Sequence, residues 1–217
     1  MKKVVVLASS GVESSILIAN FSKIYYVYPL YIQSGFYYEE EEMIALNKFI
    51  KALSSTRIND PIIIKTELDN IYEFHPWVLS GKNIPPSHAD DTSVMIHGRN
   101  TFLITMAALW CAGHDVDMIA LGILGNKAFY DQEEAFFEKL AESLSHGMNQ
   151  KIKILTPFWG LEKSDIIKSN ANLPLYLTLT CIRSQQGIHC GTCNKCHERR
   201  MAFNKAGVKD LTEYKSV

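Results

Sequence analysis

Four cysteines, Cys181, Cys190, Cys193 and Cys196, fall within sixteen residues in the pattern C-x8-C-x2-C-x2-C, with Gly191 placed to turn the chain tightly between them. Thiolates this close in sequence can point at a single tetrahedral ion, and zinc is the usual occupant of a four-sulfur site. With every position filled by protein, such an ion has no place for water and serves structure. An iron–sulfur cluster, a redox pair and two disulfides compete for the same spacing. His189 and His197 flank the cluster and could replace a cysteine, though four thiolates suffice. Lys195, Arg199 and Arg200 either balance the charge of a dianionic four-thiolate centre or mark a nucleic-acid-binding module. Cys111 stands apart, among Ala107, Ala108, Leu109 and Trp110, and reads as packing.

A second candidate for chemistry is the run Ser9-Ser10-Gly11-Val12-Glu13-Ser14-Ser15, which follows a buried-strand pattern and opens a helical one. Small residues let the backbone approach a ligand, and the N–H groups and dipole of a helix N-terminus favour a phosphate or pyrophosphate. An ordinary serine N-cap fits the same seven residues. No lysine follows the glycine, so this is not the P-loop of kinases and GTPases.

The elements that must hold these residues alternate. Val4 to Ala8 is a continuous apolar run, as expected of a central strand buried on both faces of a parallel sheet. A helical pattern carrying Ile16, Leu17 and Phe21 follows, then an apolar run from Tyr25 to Ile32. A helix over Glu40–Leu53, a strand at Ile62–Ile64, a helix over Asn100–Ala112, a strand at Met118–Leu121 and a helix over Glu133–Ser145 continue the series. The expected fold is a doubly wound α/β sheet, with a ligand site where the turns after Ala8, Ile32 and Leu121 converge. Between Asp69 and Gly98 the pattern breaks down around Pro76, Gly81, Pro85, Pro86, Asp90 and Asp91. Long loops of this kind are functional or disordered, and a cover over the active site is one outcome.

The 217 residues, 47% of them hydrophobic, suit one domain spanning 1–217. No apolar run is long enough to cross a membrane, and the basic N-terminus runs into a strand and turn with no signal-peptide pattern. With 22 basic and 23 acidic residues the formal charge of −1 gives no field for nucleic acid, so a small ligand is favoured. Four clustered cysteines point to metal in a reducing cytoplasm, not to secretion.

With these pieces placed, the chain resembles the 7-cyano-7-deazaguanine synthase family, a PP-loop branch of the N-type ATP pyrophosphatases with an adenine nucleotide alpha hydrolase-like fold. Thr156-Pro157 followed by Leu161-Glu162-Lys163-Ser164-Asp165-Ile166 is similar to the family's TP-x3-L-x-K-x-[DE]-I, and Leu177-Thr178-Leu179-Thr180-Cys181 to its L-T-x-[ST]-C. Gly98-Arg99-Asn100 is similar to its P-G-R-N turn, with His97 in place of proline. Gly122, before a polar loop ending at Asp131, stands where the family has its substrate segment. The resemblance implies that ATP phosphates lie over Ser9, Ser10, Gly11, Glu13 and Ser14, with Arg99 and Lys163 as catalytic cations, Asp131 at the substrate, Mg2+ on the triphosphate and structural Zn2+ on the cysteine segment 181–196. It further implies a homodimer that adenylates a deazapurine carboxylate and lets ammonia displace AMP, a second ATP driving dehydration to the nitrile. Phe136 and Phe137 suit either a dimer surface or helix-to-sheet core.

Several positions depart from the family pattern. Its phosphate loop reads S-G-G-x-D-S, whereas Ser10 puts a side chain where positive φ is expected and Glu13 is longer than aspartate. Gly35-Phe36-Tyr37-Tyr38 replaces G-Q-x-H. The run Glu39 to Glu42 is expected to be a solvated helix start, with Glu41 at an acidic family position. Glu133 and Ala135 replace an Arg and a Glu of the substrate loop. These departures leave room for another small-molecule or macromolecular carboxylate, or for a nucleotide-binding homologue without turnover.

Overall fold

The computed structural model describes residues 2–125 and 129–215; the outermost residues of the 1–217 unit, and residues 126–128 of the polar loop between Gly122 and Asp131, lie outside the described residues. Five parallel strands form one sheet in the order β3-β2-β1-β4-β5, where β1 is Lys3–Leu7, β2 Tyr26–Gln33, β3 Ile62–Lys65, β4 Met118–Ala120 and β5 Lys153–Leu155. The first strand is central, as its unbroken apolar run requires.

Side chains of successive strand residues point to opposite faces. Val4 and Val6 join the core under α1 (Val12–Phe21), α2 (Glu39–Leu53), α6 (Lys163–Ser169) and α7 (Asn194–Ala206), whereas Val5 joins the core under α4 (Arg99–His114) and α5 (Glu134–Met148). The sheet is thus covered on both faces, the doubly wound arrangement expected. Phe137 is buried against the sheet, Phe136 packs against the same core and Cys111 is fully enclosed in it.

A third apolar cluster sits beyond the carboxyl ends of the strands. The irregular stretch from Asp69 to Gly98, with its short helix α3 (Pro76–Ser80), contributes Tyr72, Trp77, Val78, Ile84 and Ile96, which pack with Leu179, Ile182 and the four clustered cysteines. The loop and the cysteine segment therefore stabilise each other's burial. Four of the labelled elements are absent from the sequence expectation: the five-residue helix α3, the three-residue strand β5, and helices α6 and α7, whose apolar positions are few and interspersed with charge.

Candidate active site

In an open parallel sheet the crevice opens where neighbouring strands send their connections to opposite faces. Here that point lies between β1, which leads into α1, and β4. Two cavities of about 160 and 350 Å³ occupy it, and Ser9, Glu13, Glu42, Arg99 and Gly122 line both. The turns after β1, β2 and β4 meet in the smaller one, through Ser9, Ser34 and Gly122.

The loop after β1 is built for close backbone approach. Ser10 takes the left-handed conformation, φ 58°, with its hydroxyl fully buried and unpartnered. Gly11 occupies the N-cap of α1 and offers no side chain to cap it, so the N-terminal amides are left for a ligand. The serine-cap reading is thereby replaced: Ser14 Oγ donates instead to the Gly11 carbonyl at 3.2 Å. Gly122 explains itself by contact, since a Cβ there would meet Glu13 C and Ser14 N at 2.8 Å, both backbone. Ser9, Gly11, Glu13 and Ser14 face the cavities, while Ser10 turns inward and its carbonyl accepts the Leu179 amide at 2.9 Å.

Lys163, at the start of α6, reaches into the larger cavity. Its Nζ lies 2.7 Å from Glu13 Oε1 and also pairs with Glu198, which in turn takes Lys195 at 2.8 Å. Burial opposes a charged lysine, but the two carboxylates outweigh it and hold its pKa above the usual value. Burial likewise opposes ionised Glu198, yet Lys163 and Lys195 bring it down to about 2. The result is an alternating chain of charges, Glu13, Lys163, Glu198 and Lys195, along one wall.

Arg99 lines both cavities from the start of α4; its Nε is buried with no hydrogen bond, and it makes no ion pair among the described residues. Around it lie residues that sequence reasoning missed. Glu42 Oε2 accepts the Tyr31 hydroxyl at 2.7 Å, and burial raises the Glu42 carboxyl to about 7 against the pull of Arg99 and Tyr31. Glu39 is buried and takes the Ser34 and Gly35 amides at 2.7 and 3.0 Å. Glu41 takes the Gln186 and Gly187 amides at 2.8 and 2.7 Å, tying α2 to the cysteine segment. The expected solvated run thus has only Glu40 fully exposed. The available signal was spacing: Glu39 and Glu42 share a helix face at i, i+3.

Asp131 lines neither cavity. Its Oδ2 accepts the Asn100 amide at 3.2 Å, and its carbonyl accepts Asn100 Nδ2 at 3.1 Å, so it fastens the start of α4 and thereby Arg99.

The sulfurs of Cys181, Cys190, Cys193 and Cys196 lie within 4.8 Å of one another, all buried and none in a disulfide. A tetrahedron of bonds of about 2.3 Å has sulfur edges of about 3.8 Å, and Cys190 and Cys196 are 3.9 Å apart. Amides of Arg183 and Cys190 point at Cys181 Sγ, at 3.3 and 3.2 Å, as suits a thiolate. The donor set therefore fits a metal ion such as zinc, without His189 or His197. His189 Nε2 instead accepts the Thr180 amide at 3.3 Å. Arg199, fully buried, bonds Thr178 Oγ1, the Leu175 carbonyl, Thr212 Oγ1 and Asp210; Arg200 lies over Tyr214. Lys195 pairs with Glu198, so each of these cations has a partner within the fold. Cys181 and Ile182 form part of the larger cavity, so the cysteine cluster shapes its wall.

The family model described as "Queuosine biosynthesis protein QueC" matches residues 3–207. A 7-cyano-7-deazaguanine synthase of Methanothrix thermoacetophila is 28% identical over 233 residues, covering 99% of each chain. One from Methanococcus maripaludis is 29% identical over 195 residues, 78% of this chain and 83% of the relative. The 7-cyano-7-deazaguanine synthase 1 of Desulfitobacterium hafniense is 28% identical, covering 93% and 91%. Among solved structures, one described as a predicted subunit of tRNA methyltransferase from Methanocaldococcus jannaschii superposes with a TM-score of 0.50 at 12% identity, covering 100% of this chain and 93% of that one, a likeness of fold alone. No helix among the described residues is long and apolar enough to cross a membrane.

Proposed function

Since the chain belongs to the QueC family of queuosine biosynthesis proteins, we propose that it is an ATP-dependent ligase that joins ammonia to 7-carboxy-7-deazaguanine and carries the amide on to 7-cyano-7-deazaguanine. The observation that carries this reading is the convergence of Arg99, Lys163 and the uncapped N-terminus of α1 on one crevice.

A substrate carboxylate oxygen attacks the α-phosphorus of ATP, the bond to pyrophosphate breaks, and an acyl-adenylate forms. Ammonia then adds to the acyl carbon, loses a proton and expels AMP, leaving the amide. Activation of the amide oxygen by a second ATP, with loss of AMP and two protons, gives the nitrile. Arg99 and Lys163 stabilise the charge that develops on pyrophosphate in both activations. Lys163 enters this role by exchanging Glu13 and Glu198 for phosphate oxygens. Mg2+ accompanies the triphosphate and offsets its charge. Zn2+ is the ion assigned to the four cysteines, and it supplies rigidity to the wall formed by Cys181 and Ile182. The same reading takes the chain as one domain, pairing as a homodimer in a reducing cytoplasm.

A second reading keeps the adenylation and changes the carboxylate, and Glu133 and Ala135 in the substrate loop favour it. Purified zinc-loaded protein given ATP, Mg2+, ammonium and 7-carboxy-7-deazaguanine tests both. Pyrophosphate release with a nitrile product supports the first; release only with other carboxylates supports the second. ATP binding with no turnover on any carboxylate would leave a nucleotide-binding homologue.

A further inference from the structure

Four carboxylates line the two cavities: Glu13, Glu39, Glu42 and Glu198. Glu13 and Glu198 are ion-paired to Lys163, and Glu39 has both oxygens on backbone amides. Glu42 differs. It faces both cavities, has no cation within ion-pair distance among the described residues, and engages only Oε2, through the Tyr31 hydroxyl. That single bond leaves Oε1 with no hydrogen-bond donor among the described residues.

A carboxylate held in a partly buried site without a cation is costly unless a ligand supplies donors. Arg99 lowers that cost from nearby but forms no bond to it. The larger cavity is also lined by Tyr38, Trp77, Ile96, Phe129 and Leu179, apolar and partly aromatic surface suited to a planar heterocycle. A guanine-type base carries two adjacent donors on one edge, a ring N–H and an exocyclic amine, and two carboxylate oxygens accept such a pair together.

We propose that Glu42 is the specificity-determining residue that reads the N–H and amine edge of a guanine-type substrate. The assignment rests on the functional reading above and deepens it. It also fixes the substrate's orientation. The substrate's own carboxylate is repelled by Glu42 and drawn to Lys163 beside Glu13, so the donor edge turns to Glu42 and the reacting carboxylate turns to the loop after β1. Tyr31 acts through Glu42 and is a positioning residue.

Calorimetric titration tests this with two probes, 7-carboxy-7-deazaguanine and its analogue lacking the exocyclic amine, on wild type and Glu42→Gln, with ATP as a control ligand. A hydrogen bond to a charged acceptor gives an expected preference of about 10- to 100-fold for the aminated compound in wild type. In Glu42→Gln both compounds bind alike at the weaker level and ATP binding is unchanged. Tyr31→Phe loses part of the preference. Retained preference in Glu42→Gln, or equal loss of ATP binding, overturns the assignment while the proposed activity stands. Equal binding of both compounds by wild type does the same. Binding of neither compound by wild type removes the proposed activity, and this assignment with it.

Discussion

Glu13, at the start of α1, and Lys163, at the start of α6, meet at 2.7 Å, a carboxylate beside the loop after β1 against the cation expected to serve the phosphates. In the resting chain the two neutralise each other, with Glu198 holding the lysine from the other side.

Lys163→Ala should therefore slow pyrophosphate release by about 10²- to 10³-fold, the usual loss on removing one preorganised donor to developing charge. Glu13→Asp shortens the side chain by one methylene, loosens this pair and should raise the rate. Steady-state pyrophosphate assays of both variants check this; a Lys163→Ala enzyme as fast as wild type would remove the lysine from the mechanism.

Ser10 has φ 58° and a buried hydroxyl with no partner. A non-glycine residue in this region is strained by roughly 1–2 kcal/mol, and glycine returns some of that through the entropy of the unfolded chain. The net expectation for Ser10→Gly is a gain of about 1 kcal/mol, the orphaned hydroxyl included. A rise in urea midpoint at unchanged slope would show it.

Gly122→Ala drives a Cβ into the backbone of Glu13 and Ser14 at 2.8 Å. The phosphate loop must shift, at a cost of about 1–3 kcal/mol by analogy with overpacked cores. ATP affinity should fall by more than stability does, which paired calorimetric and thermal-melt measurements separate.

Glu198 carries a pH signature. Its carboxyl is held at about 2 in the fold, below the ordinary value of 4.5, because Lys163 and Lys195 outweigh its burial. A depressed folded pKa gives stability that is full above the unfolded value and is lost as pH falls towards the folded one. Wild type should lose melting temperature between about pH 4.5 and 2 more steeply than Glu198→Gln. Since this carboxylate is about a third exposed, the loss at neutral pH in the variant should stay near 1 kcal/mol.

Removal of metal should act on both stability and binding. Wild type is expected to hold one zinc per chain by elemental analysis, and Cys196→Ala none. The stripped protein should melt lower and bind ATP more weakly, because Cys181 and Ile182 wall the larger cavity. Unchanged ATP affinity after full zinc removal would separate the two.

Much of the fold and part of the site are legible in the sequence. Val4 to Ala8 announced a central strand because burial on both faces leaves no polar alternation, and the observed strand is Lys3–Leu7. The cysteine spacing predicts the cluster of four sulfurs, and position 10, where the family pattern has glycine, takes the left-handed conformation expected there, φ 58°. The strand Lys153–Leu155 was missed because three residues carry no period. Helix α7 was missed because its buried positions include Arg199, whose partners Leu175, Thr178 and Asp210 are supplied by tertiary structure. Glu39, Glu41 and Glu42 read as solvent-facing charge because their acceptors' partners, the Ser34 amide, the Gln186 amide and the Tyr31 hydroxyl, come from other segments. Asp131 shows the converse: a position singled out by motif turns out to hold a helix end.

The amide of Leu179 donates to the carbonyl of Ser10. During synthesis every strand among the described residues has been made by Leu155, while the Leu179 amide, Lys163 and the far wall of the crevice are still to come. The part of the chain that completes the crevice is therefore the last to be made, and it is also the part that completes one face of the core. A chain ended before Leu179 lacks that bond and, with α7 missing, leaves the Val4 and Val6 face of the sheet without the cover of Ala202, Phe203 and Ala206.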